Sequence, residues 1–207
     1  LPPRAALIAH SAIVMQACSA PSSEAPALDR ALARLRDPVA VFDAGIGSYA
    51  VVQLLQRHYP AQDLIYFADR ASFPYGAKGK DELARLINAT VARLAGWGAR
   101  AVVLASNAPS VMVLGALQGQ LALPVRGIFP PVKEALAATS SGVVAVLGVA
   151  SLASSPEIGT YIANQADGHP VDHLEVDAGG GDEVFGGGRF ADKHRIGVVL
   201  VDDLVDL

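Results

Sequence analysis

One short stretch of this chain constrains its fold more than any other, because a buried-strand pattern stops there at small polar side chains. Residues 100–105 read Arg-Ala-Val-Val-Leu-Ala and are followed by Ser106 and Asn107. Continuous apolar runs of this length are typical of parallel strands that are covered on both faces. In α/β sheets, ligands bind outside the carboxyl ends of such strands, so Ser106 and Asn107 are candidate site residues.

Two further apolar runs end in the same way. Residues 39–43 finish at Asp43, before a turn that contains glycines, and residues 63–67 are followed closely by Asp69. The segment Phe73-Pro-Tyr-Gly76 comes next and has the residue types of a tight turn. Three predicted strand ends therefore present polar groups, which we expect to meet at one crevice.

The rest of the chain alternates between strand and helix patterns. Predicted strands cover residues 39–43, 63–67, 100–105, 124–128, 142–148 and 195–203, and predicted helices cover 27–36, 48–58, 79–96, 109–119, 131–138 and 155–165. Such alternation predicts an α/β fold with parallel sheets covered by helices. Prolines at 124, 130 and 131 indicate a hinge. The predicted organisation is an extension over residues 1–37, a first lobe over 38–123 and a second lobe over 124–207.

The composition excludes several functional classes. The net charge of −4 comes without a basic stripe, so no nucleic-acid partner is expected. The single cysteine, Cys18, rules out an internal disulfide and multi-cysteine metal sites. His169 and His173 are four residues apart, but Gly168 and Pro170 disfavour a helix there, so a solvated loop is predicted and no metal. No apolar run is long enough for a membrane span.

The two ends of the chain are harder to interpret. Residues 5–15 are mostly apolar and precede Cys18, which loosely imitates an export signal with a lipid-attachment cysteine, although His10 and Ser11 interrupt the run. An extra strand or helix packed on the domain is favoured. Residues 177–189 are rich in glycine and lack the Lys-Ser/Thr ending of a phosphate-binding loop, which favours a flexible linker.

Taken in order, the motifs resemble the aspartate/glutamate racemase superfamily, and within it the glutamate racemases. The matching segments are residues 43–47 (an Asp-Ser-Gly-x-Gly turn in the family), 66–69 (Tyr-Phe-x-Asp), 74–76 (Pro-Tyr-Gly), 106–108 (Cys-Asn-Thr), 123–130 (a crossing to the second lobe) and 143–161 (a strand, a Ser/Thr-rich turn and a helix). The resemblance covers about residues 38–165. Each motif alone is weak, but the ordered set is specific.

The resemblance implies a two-lobe racemase architecture, here with an incomplete second lobe. It implies interconversion of L- and D-glutamate without metal or other cofactor, in the cytoplasm, to supply D-glutamate for peptidoglycan. The partner would be a small acidic amino acid, and a homodimer is possible.

The resemblance also implies residue roles. Asp43 would hold the substrate ammonium group and assist proton transfer, and Asn107 would position the carboxylate or amino group. Three residues, Pro74, Tyr75 and Gly76, would line the pocket. Ala44 and Ala108 stand where the family has hydroxyl side chains, and Ser106 stands at the first catalytic cysteine. The second catalytic cysteine of the family has no counterpart in this sequence.

Several interpretations of this trimmed site stay open. Ser106 is a substitution that removes thiol acidity, an active residue of a sibling family, or only the cap of the following helix. The chain is accordingly a racemase, an altered relative that binds an acidic small molecule in the cleft between lobes, or a related lyase or isomerase such as a maleate isomerase or arylmalonate decarboxylase. All three require that Asp43, Tyr75 and Asn107 converge on one cavity.

Overall fold

The computed structural model describes residues 12–16, 25–45, 48–140, 143–166, 171–176 and 196–202. The strands are β1 (Ala12–Gln16), β2 (Val39–Asp43), β3 (Leu64–Ala68), β4 (Ala101–Leu104), β5 (Val125–Gly127), β6 (Val143–Val149), β7 (Val171–Val176) and β8 (Ile196–Asp202). The helices are α1 (Ala25–Leu32), α2 (Tyr49–His58), α3 (Lys80–Gly96), α4 (Asn107–Met112), α5 (Leu114–Leu117), α6 (Val132–Ala138), α7 (Ala150–Ala153) and α8 (Pro156–Gln165). Two 3₁₀ turns, Arg70–Ser72 and Tyr75–Ala77, lie between β3 and α3.

The first sheet is parallel throughout and has five strands in the order β1-β3-β2-β4-β5. Its strands alternate with helices along the chain, which confirms the predicted α/β fold with helices covering a parallel sheet. Strand β1 pairs with β3 along its whole length, so the extra element predicted before residue 37 is a strand of this sheet. Cys18 lies outside the described residues.

The second sheet differs from the prediction of parallel sheets. Its three strands follow the order β6-β8-β7, and both pairings are antiparallel. An apolar run does not reveal strand direction, because parallel and antiparallel strands both bury such residues. Strand β7 was not predicted at all, and His173 lies within it rather than in a loop. His169 and the glycine-rich residues 177–189 lie outside the described residues.

The prediction of one continuous helix over residues 109–119 is wrong. Two helices, α4 and α5, occupy this segment, and Val113 between them has non-helical angles of φ −129° and ψ −24°. The first of them also begins earlier than predicted, at Asn107, which places Pro109 in its first turn. A proline is tolerated there because the first N–H groups of a helix have no partner within the helix.

The core covers both faces of the first sheet, which explains why its strands lack an alternating pattern. On one face, Phe42, Ile65 and Phe67 belong to a large cluster with the buried side of α3. On the other face, a smaller cluster includes Tyr66 and Val52 of α2. Burying one such side chain contributes about 1.5–3 kcal/mol, so the sheet is the stable base on which the strand-end loops rest.

Neither membrane-spanning nor metal-clustering features occur in the described part of the chain. None of its helices combines the length and the apolar character that crossing a bilayer requires. No group of three or more His, Cys, Asp or Glu side chains is arranged there to hold a metal ion. The lobe boundary at residues 123/124 stays a prediction, and β5, which follows it, is the edge strand of the first sheet.

Gly127 at the end of β5 gives a direct test of this packing. A Cβ atom there would lie 2.6 Å from Ser110 Oγ and 2.8 Å from a methyl carbon of Leu114. We expect Gly127→Ala to lower the free energy of unfolding by about 1–3 kcal/mol, because the crowded helix must shift. Urea unfolding measures this.

The matched control is Gly115→Ala in α5, where an added Cβ meets nothing within 4 Å. It should leave stability unchanged or raise it by up to about 1 kcal/mol, because alanine is the better helix former. Equal destabilisation by both substitutions would contradict the packing described for β5.

Candidate active site

The polar groups at the strand ends are brought together by three neighbouring strands. Strand β2 lies between β3 and β4, and its register sets Asp43 opposite Ala68. Beyond the paired residues, the Asp69 N–H donates to the Asp43 carbonyl oxygen at 2.7 Å. On the other side the Ala105 N–H donates to the carbonyl oxygen of Phe42 at 2.9 Å. The carboxyl ends of these strands therefore form one edge, as the sequence predicts.

Asp43 and Ser106 stand at the ends of the neighbouring strands β2 and β4 at this edge. Asp43 Oδ1 accepts from the Ala44 N–H at 2.7 Å, and this hydrogen bond, together with hydrogen bonding from the Ser106 hydroxyl and the Gly45 N–H, acts to lower the pKa of Asp43. Burial raises the pKa of Asp43 above its usual range, and these three hydrogen bonds offset only part of the rise. The carboxyl group is thus more basic than an ordinary aspartate.

Ser106 does not cap the following helix with its side chain. It occupies the N-cap position of α4 with extended angles, φ −144° and ψ 126°, but its hydroxyl makes no capping hydrogen bond. Its carbonyl oxygen instead accepts from the Ser110 hydroxyl at 2.6 Å and from the Ser110 N–H at 3.2 Å. The hydroxyl of Ser106 is therefore directed to Asp43, and the capping interpretation is wrong.

A buried tyrosine of β3 hydrogen-bonds the turn after β2. The Tyr66 hydroxyl donates to the Gly45 carbonyl oxygen at 3.0 Å and lies 3.1 Å from Ser48 Oγ. The side chain of Tyr66 is only 1% exposed, and the ring of Tyr49 packs on it at 5.6 Å. In the sequence, Tyr66 was only part of a matching motif. Its hydrogen bond to Gly45, which fixes the turn that follows Asp43, was not predicted. Ile46 and Gly47 of the same turn lie outside the described residues.

The loop with Pro74 lies on the β3 side of the edge. It begins with a cis peptide bond between Phe73 and Pro74, and the Tyr75 hydroxyl donates to Asp69 Oδ2 at 3.2 Å. Burial, together with the negative charges of Asp69 and then Asp43, raises the pKa of Tyr75 above its usual range. Tyr75 therefore stays neutral at physiological pH and acts as a hydrogen-bond donor.

Gly76 brings the second group of elements to the site. A Cβ atom on Gly76 would lie 2.7 Å from a methyl carbon of Val149, which ends β6. Helix α7, which follows β6, contacts both the Tyr75–Ala77 turn and α4. An ion pair between Lys80 of α3 and Glu157 of α8 adds a contact between the same two regions. The strand-end edge is therefore flanked by residues from both halves of the chain.

The remaining candidates differ in exposure. Asn107 begins α4 and is exposed, so its amide is accessible to a ligand, whereas Ala108 is 7% exposed and Ala44 is 4% exposed. The negative charge of Asp43 acts on Tyr75 and the Ser106 hydroxyl acts on Asp43, as their pKa shifts show, and Asn107 follows Ser106 in the chain. Asp69 was expected at the same crevice from its place after a strand, but sequence reasoning assigned it no role in the site.

One surface groove lies away from this edge. It has a volume of about 330 Å³, lies between α4 and α8, and is lined by Val111, Pro156, Glu157, Thr160, Tyr161 and Asn164. None of its lining residues is a strand-end group of the first sheet. This groove therefore does not include the strand-end groups, and we assign the site from the chemistry of the strand-end edge, where a basic carboxyl group and a hydroxyl are brought together.

Known proteins that this chain is similar to bear the name of the family that the motifs resemble. No protein-family profile matches the sequence. The chain is 44% identical to a glutamate racemase of Deinococcus radiodurans over 110 residues, which are 53% of this chain and 38% of that protein. The chain spans between 34% and 50% of the length of the curated relatives that it matches.

Two solved structures share its fold. The glutamate racemase from Aquifex pyrophilus superimposes with a TM-score of 0.54 at 26% identity, over 62% of this chain and 51% of that one. Escherichia coli glutamate racemase, solved in complex with L-glutamate and the activator UDP-MurNAc-Ala, gives a TM-score of 0.54 at 25% identity, over 64% and 50% respectively. The likeness extends to about half of each of those chains.

The raised pKa of Asp43 makes a prediction about stability against pH. Because the folded protein keeps this proton to a higher pH than the unfolded chain does, ionisation of Asp43 weakens the fold as pH rises through that interval. Asparagine does not titrate. We therefore expect Asp43→Asn to gain in melting temperature relative to the parent protein as pH rises above the ordinary aspartate pKa of about 4.

The control for that comparison is Asp29→Asn, on an exposed position of α1. It should show no such pH-dependent gain. A difference between parent and Asp43→Asn that stays constant or shrinks with rising pH would show that Asp43 is not held in its protonated form by burial.

Proposed function

We propose that this chain, which is related to the glutamate racemases over more than half of its length, binds an acidic amino acid and interconverts L- and D-glutamate. The single observation that carries the proposal is the placement of Asp43 and Ser106 at the carboxyl ends of the neighbouring parallel strands β2 and β4. These two positions match the strand-end acid and the first catalytic cysteine that the sequence resemblance assigns. The reaction would supply D-glutamate for peptidoglycan in the cytoplasm, with a homodimer as the proposed assembly.

Racemisation removes the proton on the Cα atom and returns a proton on the opposite face; here Ser106 with Asp43 would remove the first proton, and a water molecule would donate the second. The group that removes it must lie within hydrogen-bond reach and have a pKa near the working pH. A cysteine with a pKa of about 8.5 is readily tuned to that range. A serine hydroxyl needs an adjacent base, and Asp43 is the group in contact with Ser106.

Asp43 would serve both binding and proton transfer. As a carboxylate it attracts the ammonium group of an amino acid. Its raised pKa makes that carboxylate a stronger base, able to accept the proton of the Ser106 hydroxyl. The exposed amide of Asn107 would orient the carboxylate or amino group, and the backbone of Pro74, Tyr75 and Gly76 would line the other side. These roles need neither a metal nor an organic cofactor.

A second candidate function is favoured by the trimmed side chains. Ala44 and Ala108 are packed into the core where the family has hydroxyl groups, and Ser106 replaces a thiol. Each missing hydrogen bond would cost about 0.5–1.5 kcal/mol of binding, which weakens but does not abolish ligand affinity. The chain could then bind an acidic amino acid without converting it, as an altered relative of the racemases.

Isotope exchange distinguishes the two functions. Purified protein is incubated in heavy water with L- or D-glutamate, and deuterium at Cα is measured by NMR. We expect slow exchange in the parent protein and an increase of about 10²–10⁴-fold in Ser106→Cys. The reason is that a thiol ionises near neutral pH, whereas a serine hydroxyl does not. The control is Ser140→Cys, which places a thiol on an exposed bend before β6.

Binding is measured separately by titration calorimetry with L-glutamate. Asp43→Asn should weaken binding by about 10- to 100-fold, because it removes the charged partner of the ammonium group, and Asp29→Asn should not. Binding without exchange in both the parent and Ser106→Cys would establish the second function. If neither protein binds or exchanges either enantiomer, both functions are wrong.

A further inference from the structure

Asp69 connects the two loops of the candidate site, although neither the motif roles nor the proposed chemistry uses it. It is only 5% exposed and stands between β3 and the following 3₁₀ turn. Its N–H donates to the Asp43 carbonyl oxygen at 2.7 Å, and its Oδ2 atom accepts from the Tyr75 hydroxyl at 3.2 Å. One residue thus holds the end of β2 through its backbone and the Tyr75 loop through its side chain.

A carboxyl group buried to this degree needs a specific partner, because its removal from water is otherwise costly. Among the ion pairs of the described residues none includes Asp69. The donor that faces it is the phenol of Tyr75, itself only 3% exposed. The hydrogen bond between them therefore fixes the ring, and with it the backbone of the loop that follows Pro74.

We propose that Asp69 is a positioning residue that acts through Tyr75, holding the Pro74-Tyr75-Gly76 loop at the strand-end edge beside Asp43. Gly76 then approaches Val149 so closely that only a residue without a Cβ atom fits, since an added Cβ would lie 2.7 Å from the valine side chain. A role of this loop in lining a ligand rests on the proposed function, whereas its position does not.

Asp69 is not itself the group that meets a ligand. Its oxygen atom points to Tyr75 and its side chain is buried, whereas Asp43 is only partly buried and contacts the Ser106 hydroxyl. The two acids at adjoining strand ends have separate tasks: Asp43 offers its carboxyl group to the cleft, and Asp69 keeps the loop in place.

The test follows Tyr75 directly. Protein labelled with ¹³C at the tyrosine ring carbon bonded to oxygen gives signals from five tyrosines, and Tyr75→Phe identifies the Tyr75 signal by its loss. We expect Asp69→Ala to shift that signal and to speed amide hydrogen exchange at Gly76 and Ala77 by about ten-fold. Asp69→Asn keeps an acceptor oxygen of the same shape and should restore most of the protection.

The matched control is Asp63→Ala, an acid at the opposite end of β3 whose carboxylate accepts from the Arg36 N–H. It should leave the Tyr75 signal and the loop exchange unchanged. Unchanged signal and exchange in folded Asp69→Ala would overturn the proposal. If Asp69→Ala does not fold, Tyr75→Phe decides, because loss of the donor must speed exchange at Gly76 and Ala77 equally.

Calorimetric titration with L- and D-glutamate extends the test to the ligand. Binding should weaken in the order parent, Asp69→Asn, Asp69→Ala, following the loss of loop protection. A parent protein that binds neither enantiomer contradicts the proposed function alone, because the Tyr75 signal and the exchange rates still decide whether Asp69 positions the loop.

Discussion

The parallel pairing of β2 between β3 and β4 is the constraint on which the candidate site depends. Asp43, Asp69 and Ser106 are distant in sequence, and each follows or ends one of these three strands. Backbone hydrogen bonds that continue past the strands, from Asp69 to Asp43 and from Ala105 to Phe42, fix their relative heights. A shift of one residue in either pairing would turn a site side chain to the other face of the sheet.

The same edge concentrates negative charge. Two aspartates lie at adjoining strand ends, no described ion pair includes either of them, and both act on the phenol of Tyr75. Burial further disfavours the ionised form of Asp43. In the proposed function, the ammonium group of an amino acid would pair with Asp43, whereas a simple dianion would add negative charge at this edge.

Ser106 decides how far the chemistry of the edge can go. Its hydroxyl is held by Asp43 and is spared from helix capping, since α4 relies on the Ser106 carbonyl and the Ser110 side chain for local contacts. In the proposed function this position is that of the reacting group, while the hydroxyl present there is a weak acid.

The sequence by itself determined the parallel α/β sheet, the order of its elements and the strand-end groups Asp43, Ser106 and Asn107, because local periodicity and the position of polar residues after apolar runs are visible along the chain. It did not reveal the antiparallel second sheet, the break at Val113 or the support from Tyr66 and Asp69. Strand direction and side-chain contacts depend on which distant segments of the chain meet. Only tertiary packing decides which segments meet, because it determines which apolar side chains are buried against one another.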